Sequence, residues 1–285
     1  MGEPVVDRRD VSEQGSPGGK PSPGASSGKQ QLRLTAILDK LRHFGAVNVD
    51  ELSAELGASL ITIRRDLDQL ERDGLLQRTH GGAVSIEPLF YQPFKNDLSF
   101  QAHLEKFAEE KRRIGRAAAA LIQAGETIAL TPGTTTLEVI RSLPFNQNIT
   151  VVSNTVNIAM ELSKRKDVNV FVTGGHLRGD WFSLVGPTAI QSLQNILIHT
   201  LFVGVDGMDS KWGTSSFNEE EASLIAAMIK RSRRKIAVAD RSKLGVVAGW
   251  RICEASDLDM LITDVQASDE SVAGFENSGV EVMRV

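Results

Sequence analysis

Apolar residues recur at helical spacing in three successive stretches near the start of the chain, which predicts three amphipathic helices. Their apolar positions are Leu34, Ile37, Leu38 and Leu41, then Val49, Leu52 and Leu56, then Leu60, Ile63, Leu67 and Leu70. Gly45 and Gly74 end the first and third helices, and a tight turn separates the second from the third. Ser59 is placed to cap the third helix, and Asn48 or Asp50 to cap the second.

Two short strands are predicted after the third helix, at residues 75–79 and 83–86, on either side of His80-Gly81-Gly82. A glycine pair between two short apolar runs is typical of a β-hairpin turn. Three helices followed by a hairpin make a winged helix-turn-helix. We therefore place a domain of this type at residues 31–88.

The outward face of the third helix carries side chains suited to DNA. If the apolar positions face the core, Thr62, Arg64 and Arg65 lie in the half that a recognition helix presents to base edges. Arginine can bind guanine through two hydrogen bonds, so we predict that these three residues bind DNA. Ser59 is expected to contact a phosphate while it caps the helix. Asp66 is expected to bind a neighbouring arginine or a helix end.

On the hairpin, Arg78 and His80 are suited to the DNA backbone or to the minor groove. Bulk charge does not support DNA binding, because the formal net charge of the chain is −4. Residues 31–88 contain seven Lys and Arg (33, 40, 42, 64, 65, 72, 78) against nine Asp and Glu (39, 50, 51, 55, 66, 68, 71, 73, 87). A helical bundle with a solvated charged face fits the periodicity equally well.

From residue 105 onward, short apolar strands alternate with helical stretches. A helix at about 105–123 precedes a strand at 127–130, and further strands are predicted at 149–152, 168–173, 201–205, 235–239 and 260–263. This alternation predicts crossover connections and a mainly parallel sheet that is covered on both faces. The predicted fold class is therefore α/β, with a winged helix-turn-helix followed by an α/β domain at residues 105–285.

Two segments lack such periodicity. Residues 1–30 are dominated by Gly, Pro, Ser and charges, with too few apolar side chains to offset the cost of ordering, so we predict a disordered tail. Residues 89–104 are interpreted as a linker. No apolar run approaches the roughly 20 residues that span a bilayer. The single cysteine, Cys253, excludes an internal disulfide, so we expect a cytoplasmic protein with no membrane contact.

Small and polar residues follow the predicted strands at their carboxyl ends. The run Thr131-Pro132-Gly133-Thr134-Thr135-Thr136 follows one strand and begins a helix, where free backbone N–H groups favour a phosphate. The other strand ends are Ser153-Asn154, Thr173-Gly174-Gly175, Gly204-Val205-Asp206-Gly207 and Asp240-Arg241-Ser242-Lys243. Since α/β sheets bind ligands at this edge, we predict a ligand site there. Neither a metal nor a cofactor is expected, because no His and Cys cluster has ligand spacing.

The third helix and the hairpin carry two motifs that resemble the signature of the DeoR family of bacterial repressors. That signature pairs a Thr-Ile-Arg-Arg-Asp-Leu recognition helix with an Arg-x-His-Gly-Gly-Ala wing. This chain has the corresponding runs at residues 62–67 and 78–83, in the same order. The resemblance implies a transcriptional regulator, a repressor of carbohydrate-metabolism genes, that binds double-stranded operator DNA. It also implies a homo-oligomer, at least a dimer.

The second half, about residues 111–264, also resembles this family, whose effector domain is similar to ribose-5-phosphate isomerase. The resemblance implies a phosphorylated sugar as the effector, with its phosphate held by Gly133, Thr134 and Thr135. It implies that the site is lined by Asn154, Gly174 and Gly175, and that Asp206, Glu221 and Lys243 lie nearest the sugar. The register among Glu219, Glu220 and Glu221 stays open.

The chain departs from the family pattern in the phosphate loop. The family commonly has Asp-Ser-Gly-Thr-Thr, whereas this chain has Thr131-Pro132 before Gly133, which alters the inner wall of the loop. Trp181, in the unusual pair Trp181-Phe182, is expected to pack rather than to close the pocket.

Three functions remain open at this stage. A regulator without catalytic residues is preferred, because an isomerase has no use for a DNA-binding module. A DNA-binding protein whose α/β domain only oligomerises is the first alternative. The second is a sugar-phosphate isomerase in which Asp206, Glu221 and Lys243 act as base, acid and electrostatic stabiliser.

Overall fold

Three helices form the N-terminal module, as the spacing of the apolar residues predicts. The computed structural model describes residues 23–85, 98–179 and 181–285. The helices are α1 (Pro23–Phe44), α2 (Val49–Leu56) and α3 (Leu60–Arg72). Asn48, rather than Asp50, caps α2, because its side chain accepts a hydrogen bond from the Asp50 N–H. Ser59 caps α3 by accepting one from the Thr62 N–H at 3.2 Å.

Two expectations for this module are wrong. Helix α1 begins at Pro23, so residues 23–30 belong to a helix and not to a disordered tail, while residues 1–22 lie outside the described residues. Leu60, expected in the core, is 40% exposed. The buried stripe of α3 is rotated towards Asp66, which binds Arg33 on α1, so Leu60 lies at the margin of that stripe.

A three-stranded antiparallel sheet completes the winged helix-turn-helix. Its strands are β1 (Ala46–Asn48), β2 (Leu76–Arg78) and β3 (Gly82–Ser85), in the order β1-β3-β2. The hairpin β2–β3 is the predicted wing, whereas β1 is too short to show a strand pattern. Gly82 is required because a Cβ there would lie 1.8 Å from the carbonyl oxygen of Val47 on β1.

Seven parallel strands form the central sheet of the α/β domain. They are β4 (Thr127–Leu130), β5 (Ile149–Ser153), β6 (Val168–Val172), β9 (Ile198–Val203), β12 (Ser232–Val238), β14 (Met260–Thr263) and β15 (Glu281–Arg284). Their order is β15-β14-β12-β9-β4-β5-β6, and every neighbouring pair is parallel. The predicted mainly parallel sheet is therefore confirmed.

Short antiparallel elements surround the carboxyl edge of this sheet. They are the hairpin of β7 (His176–Arg178) and β8 (Ser183–Val185), and a sheet of β10 (Gly207–Asp209), β11 (Gly213–Ser216) and β13 (Trp250–Cys253). Two 3-10 turns lie at Arg241–Lys243 and Ala255–Asp257. These elements are only three or four residues long, which is why no sequence pattern predicts them.

One helix near the beginning of the α/β domain is shorter than predicted. The helices of the domain are α4 (Leu98–Glu105), α5 (Ala108–Ala119), α6 (Thr134–Arg141), α7 (Val156–Leu162), α8 (Pro187–Ser192), α9 (Glu219–Ile229) and α10 (Asp269–Asn277). The helix predicted at 105–123 is α5, which begins only after a break at Phe107, whose φ is 56°. Helix α4 occupies part of the predicted linker, and residues 86–97 lie outside the described residues.

Apolar layers cover both faces of the parallel sheet. On β4, Ile128 and Leu130 belong to one buried cluster, and Ala129 between them belongs to the other. Burial of both faces is the expected consequence of crossover helices on either side. None of the helices in the described ranges is long and apolar enough to cross a membrane.

The two modules contact each other through the loops after α6 and α7. Phe145 packs into the apolar core of the N-terminal module, and its carbonyl oxygen accepts a 2.7 Å hydrogen bond from Gln31 Nε2 on α1. Lys164 Nζ donates to the Gly74 carbonyl oxygen at 2.7 Å. The α/β domain therefore holds both the beginning of the helical bundle and the end of α3.

Candidate effector pocket and DNA-binding surface

The N-terminal half of α3 presents an exposed cationic surface. Arg64 and Arg65 are both exposed, and neither forms an ion pair with any residue that the structure describes. Thr62 is half-buried, with Oγ1 2.9 Å from Ser59 Oγ. The helix therefore offers two unengaged guanidinium groups next to a hydroxyl pair, as base and phosphate contacts require.

The two predicted wing residues have different surroundings. The Arg78 Nε lies 3.1 Å from Asp68 Oδ1, and its Nη1 donates to the Gly82 carbonyl oxygen at 2.8 Å. These bonds hold the wing against α3. His80 is exposed at the turn between β2 and β3.

A pocket of about 620 Å³, including its solvent-open mouth, lies at the carboxyl ends of β4, β9 and β12. Six of the predicted effector residues line it: Gly133, Thr134, Thr135, Asp206, Glu221 and Lys243. Of the three acids in this run, Glu221 lines the pocket, and Glu219 and Glu220 do not. The predicted ligand edge of the sheet therefore contains a concave site.

Hydrogen bonds of Thr131 and Thr136 hold the threonine-rich loop, residues 131–136, in place. Thr131 is buried and does not line the pocket; its Oγ1 accepts a hydrogen bond from the Gly204 N–H at 2.8 Å. Thr136 Oγ1 lies 2.9 Å from the Thr131 carbonyl oxygen and 2.8 Å from that of Gly133. Thr131, where this chain departs from the family pattern, thus joins the loops that follow β4 and β9. Thr134 and Thr135 line the pocket.

Two lysines bring positive charge to the pocket. Lys111, on α5, is 5% exposed, and burial lowers the pKa of its ammonium group to about 8. Lys243 is half-buried in the 3-10 turn after β12, where the carboxylate of Asp240 caps the turn by accepting from the Ser242 N–H at 3.0 Å. Both side chains line the same cavity as the loop at the start of α6.

The two pocket carboxylates are already engaged by neighbouring groups. Asp206 Oδ2 accepts hydrogen bonds from Ser216 Oγ and from the Phe217 N–H, both at 2.9 Å. Glu221 is buried, accepts a hydrogen bond from Ser183 Oγ, and has Arg178 Nε 3.8 Å from its Oε1. These acids are held in fixed orientations, which suits hydrogen bonding to a ligand hydroxyl.

Three predicted effector residues do not line the pocket. Asn154 is buried after β5 and donates to the Leu184 carbonyl oxygen at 3.2 Å. Gly175 packs against β8, where a Cβ would lie 2.4 Å from the Val185 carbonyl oxygen. Gly174 beside it has a φ of 68°. Asn154 and Gly175 therefore contact the hairpin β7–β8, which lies at the end of β5, and not the lining of this cavity.

Twelve lining residues are additional to the six predicted ones, and His103, Lys111 and Trp181 are among them. Lys111 had a sequence signal, because it shares a helix face with Ile114 and Ala118, both of which are buried. Trp181 both lines the pocket and packs, since its ring centroid lies 6.0 Å from that of Phe100. His103 lies on α4, within the predicted linker.

Comparison with known proteins agrees with this two-module architecture. A family model described as the DeoR-like helix-turn-helix domain matches residues 33–88, and one described as the DeoR C terminal sensor domain matches residues 106–265. A winged helix-turn-helix joined to an α/β sensor domain defines a class of DNA-binding transcriptional regulators. This chain belongs to the DeoR family.

Curated relatives match nearly the whole chain. The putative aga operon transcriptional repressor of Escherichia coli O157:H7 is 36% identical, and the match covers 89% of this chain and 93% of the relative. The HTH-type transcriptional repressor GlcR of Bacillus subtilis (strain 168) is 32% identical, with 89% and 96% covered. The solved ribose 5-phosphate isomerase A of Methanocaldococcus jannaschii is 13% identical, with 48% and 54% covered and a TM-score of 0.36.

Proposed function

We propose that this regulator is a repressor of carbohydrate-metabolism genes whose affinity for operator DNA is set by a phosphorylated sugar. The observation that carries the proposal is the pocket at the carboxyl edge of the sheet. There Lys111 and Lys243 lie at the same cavity as the backbone that begins α6. Two cations and a helix N-terminus favour a phosphate, and the fixed acids Asp206 and Glu221 favour sugar hydroxyls.

DNA recognition is assigned to the exposed face of α3. Arg64 and Arg65 are proposed to contact base edges in the major groove, with Ser59 and Thr62 on an adjoining phosphate and His80 on the backbone beside the wing. Arg78 is proposed to act by holding the wing. One such helix reads a single half-site, so we propose a homo-oligomer, at least a dimer, whose helices enter successive major grooves about 10 base pairs apart.

The pocket is proposed to bind its sugar phosphate without turning it over. A carboxylate that acts as general base or acid must be free to exchange a proton with substrate. Here Asp206 accepts from a side chain and a backbone N–H, while Ser183 and Arg178 contact Glu221. No catalytic residue is therefore assigned. Isomerisation of a pentose or hexose phosphate by the purified protein would contradict this assignment.

A ligand screen tests the proposal directly. Purified full-length protein is heated with a panel of pentose, hexose and amino-sugar phosphates, and with the matching unphosphorylated sugars. A ligand that binds the folded state raises the unfolding temperature by mass action. We expect at least one phosphate to raise it while its neutral sugar does not. If every phosphate leaves it unchanged, an α/β domain that only oligomerises becomes the better account.

A further inference from the structure

Ile61 is an exposed apolar side chain in the first turn of α3. It is 63% exposed, and it belongs to none of the apolar clusters that the described residues form. Its side chain therefore adds nothing to the core of the winged helix-turn-helix. Single exposed apolar residues are common on protein surfaces, so the position of Ile61 on the helix decides what its exposure means.

Ile61 lies between the two exposed arginines of α3. An α-helix turns by about 100° per residue, which puts Arg65 roughly 40° to one side of Ile61 and Arg64 roughly 60° to the other. The buried Ile63 lies roughly 160° away from Ile61 around the helix. The face of α3 that is opposite the core is therefore apolar at its centre, with a guanidinium group on each side.

The first turn of α3 also differs from the first turns of other helices in the chain. Helix α2 begins with Asp50 and Glu51, and α10 begins with Asp269 and Glu270, as the helix dipole favours. The first turn of α3 contains no acidic residue. It therefore carries no negative charge that would repel DNA phosphates, and Ile61 stands in this uncharged turn.

Thymine is the base that offers an apolar group to such a side chain. Its C5-methyl group lies in the major groove, where guanine, adenine and cytosine present hydrogen-bonding atoms. The side chain of Ile61 can neither donate nor accept a hydrogen bond, so it would leave those atoms without a partner. Contact with a methyl group instead removes apolar surface of both partners from water. The chemistry of Ile61 therefore favours thymine over the other bases.

We propose that Ile61 reads a thymine in each operator half-site through contact with its C5-methyl group in the major groove. This assignment rests on the proposed function in taking α3 as the recognition helix. It adds a base preference that Arg64 and Arg65 do not supply, because guanidinium groups bind phosphates and guanine. A second copy of this chain would fit this face poorly, since symmetric contact would bring two pairs of guanidinium groups together.

Replacement of thymine by deoxyuridine tests the assignment, because uracil differs from thymine only in lacking the C5-methyl group. The full-length wild type first selects an operator from random duplexes, and each thymine of the half-site is then replaced in turn. At one position the replacement should lower the wild-type affinity about fourfold per half-site, the factor expected for burial of one methyl group. Fluorescence anisotropy measures each affinity.

Two variants show whether Ile61 makes the contact. Ile61→Ala removes most of the apolar side chain and introduces a better helix former, so α3 should stay folded. For this variant, the difference between the thymine and deoxyuridine operators should shrink to less than about twofold, as a double-mutant cycle requires of an interacting pair. Leu32→Ala is the control, because it removes an exposed apolar side chain from α1. It should keep the full wild-type difference.

The outcomes separate this inference from the proposed function. If no thymine of the selected half-site responds to deoxyuridine, Ile61 does not read a thymine, while the proposed operator binding stands. A response that is as large in Ile61→Ala as in the wild type also overturns the assignment, because it then arises from the shape of the duplex. If the wild type selects no operator, the inference and the proposed function both fail.

Discussion

The guanidinium of Arg33, on α1, binds the buried carboxylate of Asp66, on α3, through two hydrogen bonds: Nε to Oδ2 at 2.7 Å and Nη2 to Oδ1 at 3.3 Å. A paired geometry of this kind fixes orientation as well as distance. Asp66 lies directly after Arg65 in the chain. The pair therefore sets the rotation of α3 that turns Arg64 and Arg65 outward.

Removal of Arg33 should destabilise the DNA-binding module. Arg33→Met leaves the buried Asp66 carboxylate without its charged partner, with only the 3.4 Å hydrogen bond from Gln30 Nε2; loss of the charged partner costs about 3 kcal/mol in comparable pairs. Urea unfolding of the full-length protein, followed by circular dichroism, measures the change. Arg72→Met is the control, because Arg72 is exposed near the end of α3 and should change the free energy of unfolding by less than about 0.5 kcal/mol. Equal effects from the two variants would show that the Arg33–Asp66 pair is not stabilising.

Arg65→Ala should weaken specific operator binding and leave the fold intact. A bidentate contact to guanine contributes about 1–3 kcal/mol of discrimination, so the affinity for an operator selected by the wild type should fall at least fivefold. Fluorescence anisotropy with that operator and with a scrambled duplex gives both affinities. Arg72→Ala, at the other end of the same helix, should bind as the wild type does. An unchanged operator affinity for Arg65→Ala would place the recognition face elsewhere on α3.

A methyl group at Gly82 should displace the wing. The Cβ of Gly82→Ala would lie 1.8 Å from the Val47 carbonyl oxygen, whereas the nearest atom to a Cβ at Gly81 is Asn48 Nδ2, at 4.0 Å. Overpacking of this kind costs about 1–3 kcal/mol. Chemical unfolding should therefore show a clear loss for Gly82→Ala and a much smaller change for Gly81→Ala. Similar stabilities would mean that β1 and β3 are not packed as described.

Phosphate affinity should depend on pH through Lys111. Its pKa is lowered from the ordinary 10.5 to about 8 in the folded protein, and only the protonated form attracts an anion. As pH rises above 8, binding must also take up a proton, so affinity should fall by up to about tenfold per pH unit. Calorimetry at several values between roughly pH 7 and 10 measures how the phosphate affinity changes with pH. The fall should disappear in Lys111→Met; if it persists there, another group controls binding.

The hydrophobic pattern predicted both modules, because each has a long buried surface with one clear period. Strand-end chemistry predicted Gly133, Thr134 and Lys243 at the pocket, since carboxyl ends of parallel strands meet at one edge. The same argument placed Asn154 at that edge without showing that it contacts the hairpin β7–β8 there. The position of α4 beside Lys111 could not be predicted, because eight residues after an unpatterned segment carry too little periodicity to show where that helix packs.

The response of operator binding to a sugar phosphate tests the central claim most directly. The anisotropy titration is repeated with the operator alone and with the phosphate that stabilises the protein in the thermal screen. Coupling of about 1–3 kcal/mol predicts a 5- to 150-fold change in operator affinity for the wild type. The same change is expected for the exposed control Lys230→Met, and none for Lys243→Met. An identical wild-type affinity with and without every sugar phosphate tested would contradict the account.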